Sequence, residues 1–172
     1  IVLPNYNSEA YLDETINSII NQTFKNWKLT IVDGNSNDET QRILQNYIRH
    51  PNINVIRLKK NKRAGFCRNL AMRSSNLDYV AFIDSDDIWD REKLSKQLDF
   101  MIKNDYHFTY TNYLPFKSEK KLQDLKEIKP ENIFTYEKFI RNTSIATSTM
   151  IIKKSSIGNV KFSNTKICED YF

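Results

Sequence analysis

The chain has 172 residues, is 40% hydrophobic and 27% charged, and carries a formal net charge of +5 with a pI near 9.1. These values are typical of one globular domain and exclude a disulfide scaffold, since Cys67 and Cys168 lie far apart and have no CxxC spacing. No apolar run approaches the ~20 residues that a membrane helix needs, and no secretory signal pattern is present.

The first half of the chain alternates short apolar strands with amphipathic helices. Strands are predicted at 1–3, Lys28–Val32, Ile53–Leu58 and Asp78–Ile83. Helices are predicted near 9–22, after Asp38, near 64–75 and after Asp90. The first helix is indicated by Leu12, Ile16, Ile19 and Ile20, whose spacing places them on one face.

Two of these helices carry more detailed predictions. Asp38 offers an N-cap, with Gln41 three residues later as in a capping box. The helix that follows would place Ile43, Leu44, Tyr47 and Ile48 on one face. The helix after Asp90 would turn Leu94, Leu98, Met101 and Ile102 inward.

The pattern changes after residue 104. A strand is predicted at His107–Tyr113, a Lys-rich loop over 117–134, a short helix near 135–142 and a strand at Ser148–Lys153. We expect one domain over 1–172. We also expect both ends to be cut from a longer protein, because the chain opens inside an apolar strand without an initiator Met.

The order of these elements predicts an α/β fold with a mostly parallel central sheet and helices on both faces. Ligands of such sheets bind at the carboxyl ends of the strands. The residues that directly follow each strand are therefore the candidates for function.

The strongest candidate is Asp84-Ser85-Asp86-Asp87, which directly follows a buried strand. In extended backbone Asp84 and Asp86 point the same way, and two adjacent carboxylates repel each other unless a cation lies between them. A hard divalent ion, Mg²⁺ or Mn²⁺, fits such a pair. A solvated acidic turn, with Asp87 or Asp90 capping the next helix, is the structural alternative.

Three weaker clusters follow the same logic. Tyr6 in Pro4-Asn5-Tyr6-Asn7 offers a flat face for a base, or the cluster is a turn that caps the first helix. Asp33 could accept a hydrogen bond from a ribose hydroxyl or a base N–H, or belong to an Asx-turn. Glu169-Asp170 could supply a general base, or form a helix N-terminus.

Taken together, these motifs resemble the family-2 glycosyltransferases, which have the GT-A fold, a Rossmann-like architecture. The resemblance covers nearly all of the first 95 residues and returns at the end of the chain. It rests on Asn5-Tyr6-Asn7, Val32-Asp33, Ser36 with Asp38, Arg68-Asn69, Asp84-Ser85-Asp86-Asp87 and Glu169-Asp170, in that order. The segments Leu12–Ile19, Gln22-Thr23 and Ala64–Ala71 add to it.

The resemblance implies a role for each matched residue. Tyr6 and Asp33 would hold the base, usually uracil, and Arg68 would face the nucleotide or its diphosphate. Pro4 and Ser85 complete the substrate-binding set. Asp84 and Asp86 would form the DXD motif that binds Mn²⁺ or Mg²⁺, and Asp170 would be the catalytic base.

The chain departs from the family pattern after Asp33. The family often has a second Asp and then a Gly at this point, where this chain has Gly34 and Asn35. The turn that follows Asp33 is therefore expected to differ from that of the family.

The implied activity is sugar transfer from a nucleotide-sugar, a UDP-sugar, to a saccharide or lipid-linked acceptor with inversion. Residues 1–104 would bind the nucleotide-sugar, and 105–172 would begin the acceptor half. We expect a bacterial enzyme of surface polysaccharide or lipopolysaccharide synthesis, cytoplasmic at the inner membrane face. Peripheral membrane association through the basic surface and the oligomeric state are left open.

Nucleic acid is not an expected partner, because the basic runs lack interleaved aromatic residues. Three alternatives remain. A nucleotidyltransferase would want a Gly-rich loop after the first strand, where Pro4-Asn5-Tyr6-Asn7 has no Gly. A phospho-acceptor signalling domain would need its acidic pair after the first strand, where this chain has Pro4-Asn5 and no acidic residue. A non-catalytic sugar-nucleotide-binding domain would lack a base opposite the metal.

Overall fold

The structure is a computed structural model that describes residues 1–116, 126–135, 137–138 and 144–163. Its strands are β1 (Val2–Asn5), β2 (Leu29–Asp33), β3 (Ile53–Arg57), β4 (Tyr79–Ala81), β5 (Phe108–Thr109) and β6 (Ile151–Lys153). Its helices are α1 (Leu12–Ile20), α2 (Thr40–Gln45), α3 (Ala64–Arg73) and α4 (Lys93–Lys103). Short 3₁₀ turns lie at Thr147–Thr149 and Lys154–Ser156.

The strands form a mixed sheet built on a parallel core. β1 pairs with β2 and β2 with β3, both parallel, so that Leu3 lies beside Ile31 and Ile31 beside Val55. β6 lies between β4 and β5 and is antiparallel to both. A parallel bridge from Val2 to Phe82 joins the two groups, which gives the strand order β3-β2-β1-β4-β6-β5.

Helices cover both faces of this sheet, which confirms the predicted α/β class. Side chains alternate along a strand, so Leu3 and Ile31 enter one core, with residues of α1, α2 and α4. Val2 and Val32 enter the other core, with Cys67 and other residues of α3. The carboxyl ends of β1, β2 and β4 consequently lie together at one edge, between the two helical layers.

The predicted capping box is wrong. α2 begins at Thr40 with Glu39 as its N-cap residue, and the cap makes no side-chain hydrogen bond. The carboxylate of Asp38 instead accepts from the backbone N–H groups of Thr40 and Glu9. Gln41 donates to Asp33, so its side chain serves the turn after β2.

Two predictions of helix faces, for Ile48 and Ile102, are also wrong. Ile48 is 48% exposed, because α2 ends at Gln45 and Ile48 lies beyond it. Ile102 is 62% exposed, because Leu94 and Met101, seven residues apart, already define the buried face of α4.

In the described part of the second half of the chain, regular structure is less extensive than predicted. Of the strand expected at His107–Tyr113, only Phe108–Thr109 forms a strand. The strand expected at Ser148–Lys153 begins at Ile151, after the turn at Thr147–Thr149. Ile128, in the predicted loop, forms an isolated antiparallel bridge with Tyr113. The predicted helix near 135–142 lies largely outside the described residues.

None of the helices in the described ranges is long and apolar enough to cross a membrane.

Candidate functional site

A cleft of about 360 Å³ opens at the carboxyl ends of β1 and β4, beside the start of α3. Its lining residues are Pro4, Asn5, Tyr6, Ala64, Cys67, Arg68, Asp84, Ser85 and Asp86. Six of them were predicted from sequence as substrate or metal residues, namely Pro4, Tyr6, Arg68, Asp84, Ser85 and Asp86. The fold therefore brings together residues that are up to 82 positions apart in the chain.

The first wall of the cleft is the loop after β1, which is bound to the loop after β2. The Asn7 N–H donates to Ser36 Oγ at 2.9 Å, and the side chain of Asn7 bonds to Asn37. Asn7 has a φ of 49°, a left-handed conformation that Asn tolerates better than most residues. Tyr6 is left 47% exposed and lines the cleft, so its side chain is accessible to a ligand.

Asp33 is fully buried and is not among the residues that line the cleft. Its Oδ1 accepts from Asn5 Nδ2 at 2.8 Å and from Ser36 Oγ at 2.5 Å. Its Oδ2 accepts from the Ser36 N–H at 3.2 Å and from Gln41 Nε2 at 3.0 Å. In this structure Asp33 organises the turn after β2, and a direct contact with a base stays a prediction.

The departure from the family pattern at Gly34 and Asn35 has a local physical reason. The Gly34 N–H donates to Asn5 O at 2.7 Å, and a Cβ at this position would lie 3.0 Å from Lys62 O. Asn35 has a φ of 72°, so Asn fills the left-handed position of this turn. Gly34 thus permits a close approach of three loops.

The second wall is the acidic loop, defined here as Asp84–Trp89, which is held from two sides. From α1, Thr15 Oγ1 donates to Ser85 O at 3.1 Å, and Ser18 Oγ accepts from the Trp89 N–H. From the Thr147–Thr149 turn, Ser148 accepts from the Asp84 N–H at 2.9 Å. The loop therefore has a fixed backbone, although Asp84 and Asp86 line the cleft.

Arg68 forms the base of the cleft and pairs with Asp84. Its guanidinium is buried, with 3% of the side chain exposed, and donates to Asp84 Oδ1 at 2.7 Å. The ring of Phe162 lies 5.2 Å from the guanidinium carbon. Phe162 is held in turn by Asn69, whose amide bonds to the backbone N–H and C=O of Phe162.

The electrostatics of the acidic loop favour a cation. Burial raises the pKa of Asp87, a hydrogen bond from Ser148 opposes that shift, and the neighbouring charges of Asp84 and Asp86 raise the pKa further. Asp84 is 35% exposed at its side chain, in contrast to Arg68. Arg68 supplies one positive charge against the two carboxylates that line the cleft.

The donor set of the cleft fits a hard divalent ion. Asp84 and Asp86 offer carboxylate oxygens on the same wall. Within the described ranges no group of three or more His, Cys, Asp or Glu side chains surrounds a metal position. Mg²⁺ is usually bound by one or two carboxylates and completes its shell with water and substrate phosphates, so two carboxylates in an open cleft are sufficient.

Cys67 lines the cleft as a free thiol and is buried. Burial, together with the charge of Asp33, raises its pKa to about 11. The raised pKa makes the thiolate scarce at neutral pH and disfavours Cys67 as a nucleophile. Cys168, Glu169 and Asp170 lie outside the described residues, so the predicted base stays a prediction.

Several residues that shape the site were given no role in it from sequence. Ser36 and Gln41 hold Asp33, Ser148 holds the acidic loop, and Phe162 covers Arg68. Ser36 carried a signal as a residue of the family motif, and Gln41 carried one that indicated a capping box instead of a bond to Asp33. The contacts of Ser148 and Phe162 depend on tertiary structure, which no local pattern encodes.

Comparison with known proteins gives matches to glycosyltransferases, in agreement with the geometry of the cleft. The family model described as Glycosyl transferase family 2 matches residues 1–161. A putative teichuronic acid biosynthesis glycosyltransferase, TuaG of Bacillus subtilis, is 34% identical over 99% of this chain and 68% of its own length. The Escherichia coli UDP-Glc:alpha-D-GlcNAc-diphosphoundecaprenol beta-1,3-glucosyltransferase WfgD is 31% identical over 94% of this chain and 62% of its own length.

Among solved structures, S. aureus TarS 1–349 in complex with UDP-GlcNAc superimposes with a TM-score of 0.79 and 24% identity. The match covers 98% of this chain and 50% of the TarS chain. At this identity the likeness concerns the fold. The chain spans about two thirds of the two curated relatives and half of the matched structure.

Proposed function

The chain belongs to glycosyl transferase family 2, and on that premise we propose that it transfers a sugar from a UDP-sugar to a saccharide or lipid-linked acceptor. The observation that carries the proposal is the cleft. Its lining combines an exposed aromatic ring at Tyr6, a buried cation at Arg68 and two carboxylates at Asp84 and Asp86. The aromatic ring can stack on a nucleotide base, the cation can pair with a diphosphate, and the two carboxylates can bind a divalent ion.

In this proposal the donor lies along the cleft with its base against Tyr6. Pro4 and Ser85 contribute the walls, and Arg68 faces the diphosphate. Asp33 acts mainly through the turn that it holds, since each of its oxygens already accepts two hydrogen bonds. A direct bond from Asp33 to the base would have to displace one of those donors.

Asp84 and Asp86 would hold Mn²⁺ or Mg²⁺. When bound, such an ion neutralises negative charge that develops on the departing nucleoside diphosphate. Arg68 adds a fixed positive charge at the same place, because Phe162 and the protein interior hold its guanidinium against Asp84. Preorganised charge of this kind stabilises a transition state without reorganisation during the reaction.

Asp170 would be the general base that takes the proton of the acceptor hydroxyl. The hydroxyl oxygen then attacks the anomeric carbon as the bond to the diphosphate breaks. A single displacement of this kind inverts the anomeric centre. Residues 1–104 would form the donor half, and the acceptor half would begin at 105.

The relatives suggest the biological setting. TuaG is named for teichuronic acid biosynthesis, and WfgD for glucosyl transfer to a diphosphoundecaprenol-linked sugar. We therefore place this chain in bacterial surface polysaccharide or lipopolysaccharide synthesis, at the inner face of the plasma membrane. The exposed basic residues Lys59, Lys60 and Lys62, which shortly precede Ala64 of the cleft lining, suit an approach to anionic lipid.

A donor screen tests this function. UDP-sugars and GDP-sugars are titrated into the full-length protein with Mn²⁺ present, and binding is followed by calorimetry. We expect saturable binding of at least one UDP-sugar and weaker binding of every GDP-sugar. Stronger binding of GDP-sugars would contradict the uracil assignment, and no binding of any nucleotide-sugar would contradict the function itself.

A further inference from the structure

Ser148, in the second half of the chain, contacts the acidic loop that carries the predicted metal ligands. It lies in the turn Thr147–Thr149, between 59 and 64 positions after the residues of the acidic loop that it contacts. All three residues of this turn are buried. Ser148 itself is absent from the cleft lining, so any influence that it has on a ligand passes through its neighbours.

Ser148 makes three hydrogen bonds, and all of them go to the acidic loop. Its hydroxyl accepts from the Asp84 N–H at 2.9 Å and donates to Asp87 Oδ2. Its carbonyl accepts from Trp89 Nε1 at 2.8 Å. The beginning, middle and end of the acidic loop are therefore tied to a single residue.

The hydroxyl has the chemistry that this position requires. A serine hydroxyl has one proton to donate and lone pairs to accept with, so it can serve Asp87 and Asp84 at the same time. Alanine can serve neither group, whereas threonine can serve both. The loss of the hydroxyl would leave a backbone N–H and a mostly buried carboxylate without this partner.

The turn that carries Ser148 is itself anchored by buried polar side chains. Gln97 of α4 donates through Nε2 to Thr149 O at 2.9 Å and to Thr109 Oγ1 at 3.1 Å. Gln97 Oε1 accepts from Lys93 Nζ at 2.7 Å, and Lys93 lies 4.4 Å from the centre of the Trp89 ring. Ser148 thus presents its hydroxyl from a fixed frame and not from a mobile loop.

We propose that Ser148 is a positioning residue for the metal and donor site. Its hydroxyl fixes the backbone at Asp84 and the side chain of Asp87, and this sets the direction in which Asp84 and Asp86 present their carboxylates to the cleft. The inference rests on the proposed function, because it assumes that these carboxylates bind a divalent ion. It adds that the second half of the chain determines the strength of that binding.

The test measures Mn²⁺ binding to the full-length protein in the presence of saturating UDP. Ser148→Ala is compared with wild type, with Ser148→Thr, which keeps the hydroxyl, and with Thr149→Val. Thr149 is a matched control, since its hydroxyl is equally buried in the same turn but bonds to Ala146 O. UDP binding in EDTA and thermal unfolding are recorded for every variant.

We expect Ser148→Ala to weaken Mn²⁺ binding roughly five- to hundredfold, the effect of losing a buried hydrogen bond. Ser148→Thr should restore the affinity, and Thr149→Val should leave it near wild type. UDP binding in EDTA should be unchanged in all variants. If Ser148→Ala does not fold, Ser148→Cys replaces it, because a thiol is a weak donor and a weak acceptor.

Several results would overturn the inference. Wild-type Mn²⁺ affinity in folded Ser148→Ala or Ser148→Cys would do so. An equal loss in Thr149→Val would do so too, since it would mean that any damage to the turn is sufficient. Wild-type protein that binds no Mn²⁺ with UDP would instead contradict the metal role in the proposed function, and the inference would fall with it.

Discussion

Two aspartates that follow buried strands have opposite environments in this protein. Asp33, after β2, is fully buried and accepts four hydrogen bonds from protein donors. Asp84, after β4, is 35% exposed, pairs with Arg68 and lines the cleft together with Asp86. The same pattern of an apolar strand followed by Asp thus gives a buried turn in one case and a carboxylate that lines the cleft in the other.

The number of protein donors around each carboxylate explains this difference. A carboxylate with all its acceptor positions used stabilises its turn and has little capacity left for a ligand. A carboxylate paired with a single guanidinium keeps an oxygen for a cation or a substrate. The comparison assigns stability to one carboxylate and ligand binding to the other. Each of the following variants tests one of these roles or a residue close to them.

The largest expected effect is at Asp170. We expect this carboxylate neither to stabilise a turn nor to bind the donor or the metal. Asp170→Asn should reduce sugar transfer about 10²–10⁴-fold, because general-base catalysis is lost. Affinity for the UDP-sugar and Mn²⁺ should remain near wild type. Transfer and donor binding are measured on the full-length enzyme, with Glu169→Gln as the neighbouring control, for which a smaller loss is expected. Transfer at the wild-type rate by Asp170→Asn would remove this residue from the mechanism.

Asp33→Ala tests the structural side of the comparison. The substitution leaves donors from Asn5, Ser36 and Gln41 without their acceptor, so the free energy of unfolding should fall by at least about 1–3 kcal/mol. UDP affinity, measured without metal, should fall roughly five- to hundredfold as the turn beside Tyr6 loosens. Urea unfolding and calorimetry measure the two effects.

Asp38→Ala is the control for this experiment, because Asp38 lies in the same loop but its carboxylate bonds to Glu9 and Thr40 and not to the donors that hold Asp33. It should change both quantities much less. Loss of UDP affinity in Asp33→Ala with unchanged stability would mean that Asp33 contacts the base directly, and the structural role given to it here would be wrong.

A smaller effect is expected at Lys93, which lies beneath the acidic loop against Trp89. Burial lowers the pKa of Lys93 from 10.5 to about 7. Between these values the unfolded chain binds more protons than the folded protein, so this residue makes stability rise with pH from about 7 to about 10.5.

Lys93→Met should remove that contribution while keeping the apolar stem of the side chain. Urea unfolding of both proteins at several pH values measures the difference between the two stability curves. We expect the difference in free energy of unfolding between the variant and wild type to become smaller as the pH rises from about 7 to about 10.5. A constant gap would show that the Lys93 amine titrates alike in the folded and unfolded states.

The sequence was sufficient for the frame of the molecule. The parallel strands β1 to β3 were predicted because each is an apolar run between turn-forming residues, and the cleft lining followed from their shared edge. Asp33 and Asp84 could not be told apart, since their environments depend on partners from elsewhere in the chain. Gln41 illustrates the limit: its spacing suggested a capping box, but its amide bonds to Asp33.

The second half of the chain was harder to predict for a related reason. β5 and β6 are short, and they are fixed by pairing with each other and with β4 and not by a strong local pattern. Ser148 was predicted as part of a strand, whereas its turn is fixed by Gln97, and its hydroxyl by the acidic loop. Contacts of this kind appear only when the tertiary structure is known.

The central claim is that the acidic loop binds a divalent ion together with the donor, whereas the turn at Asp33 does not. The most direct measurement is UDP-sugar affinity by calorimetry in Mn²⁺ and in EDTA, for wild type, Asp86→Asn and Asp33→Ala. The account predicts much tighter binding with Mn²⁺ in wild type, loss of that gain in Asp86→Asn, and weaker binding with the gain retained in Asp33→Ala. Equal wild-type affinity with and without metal would contradict it.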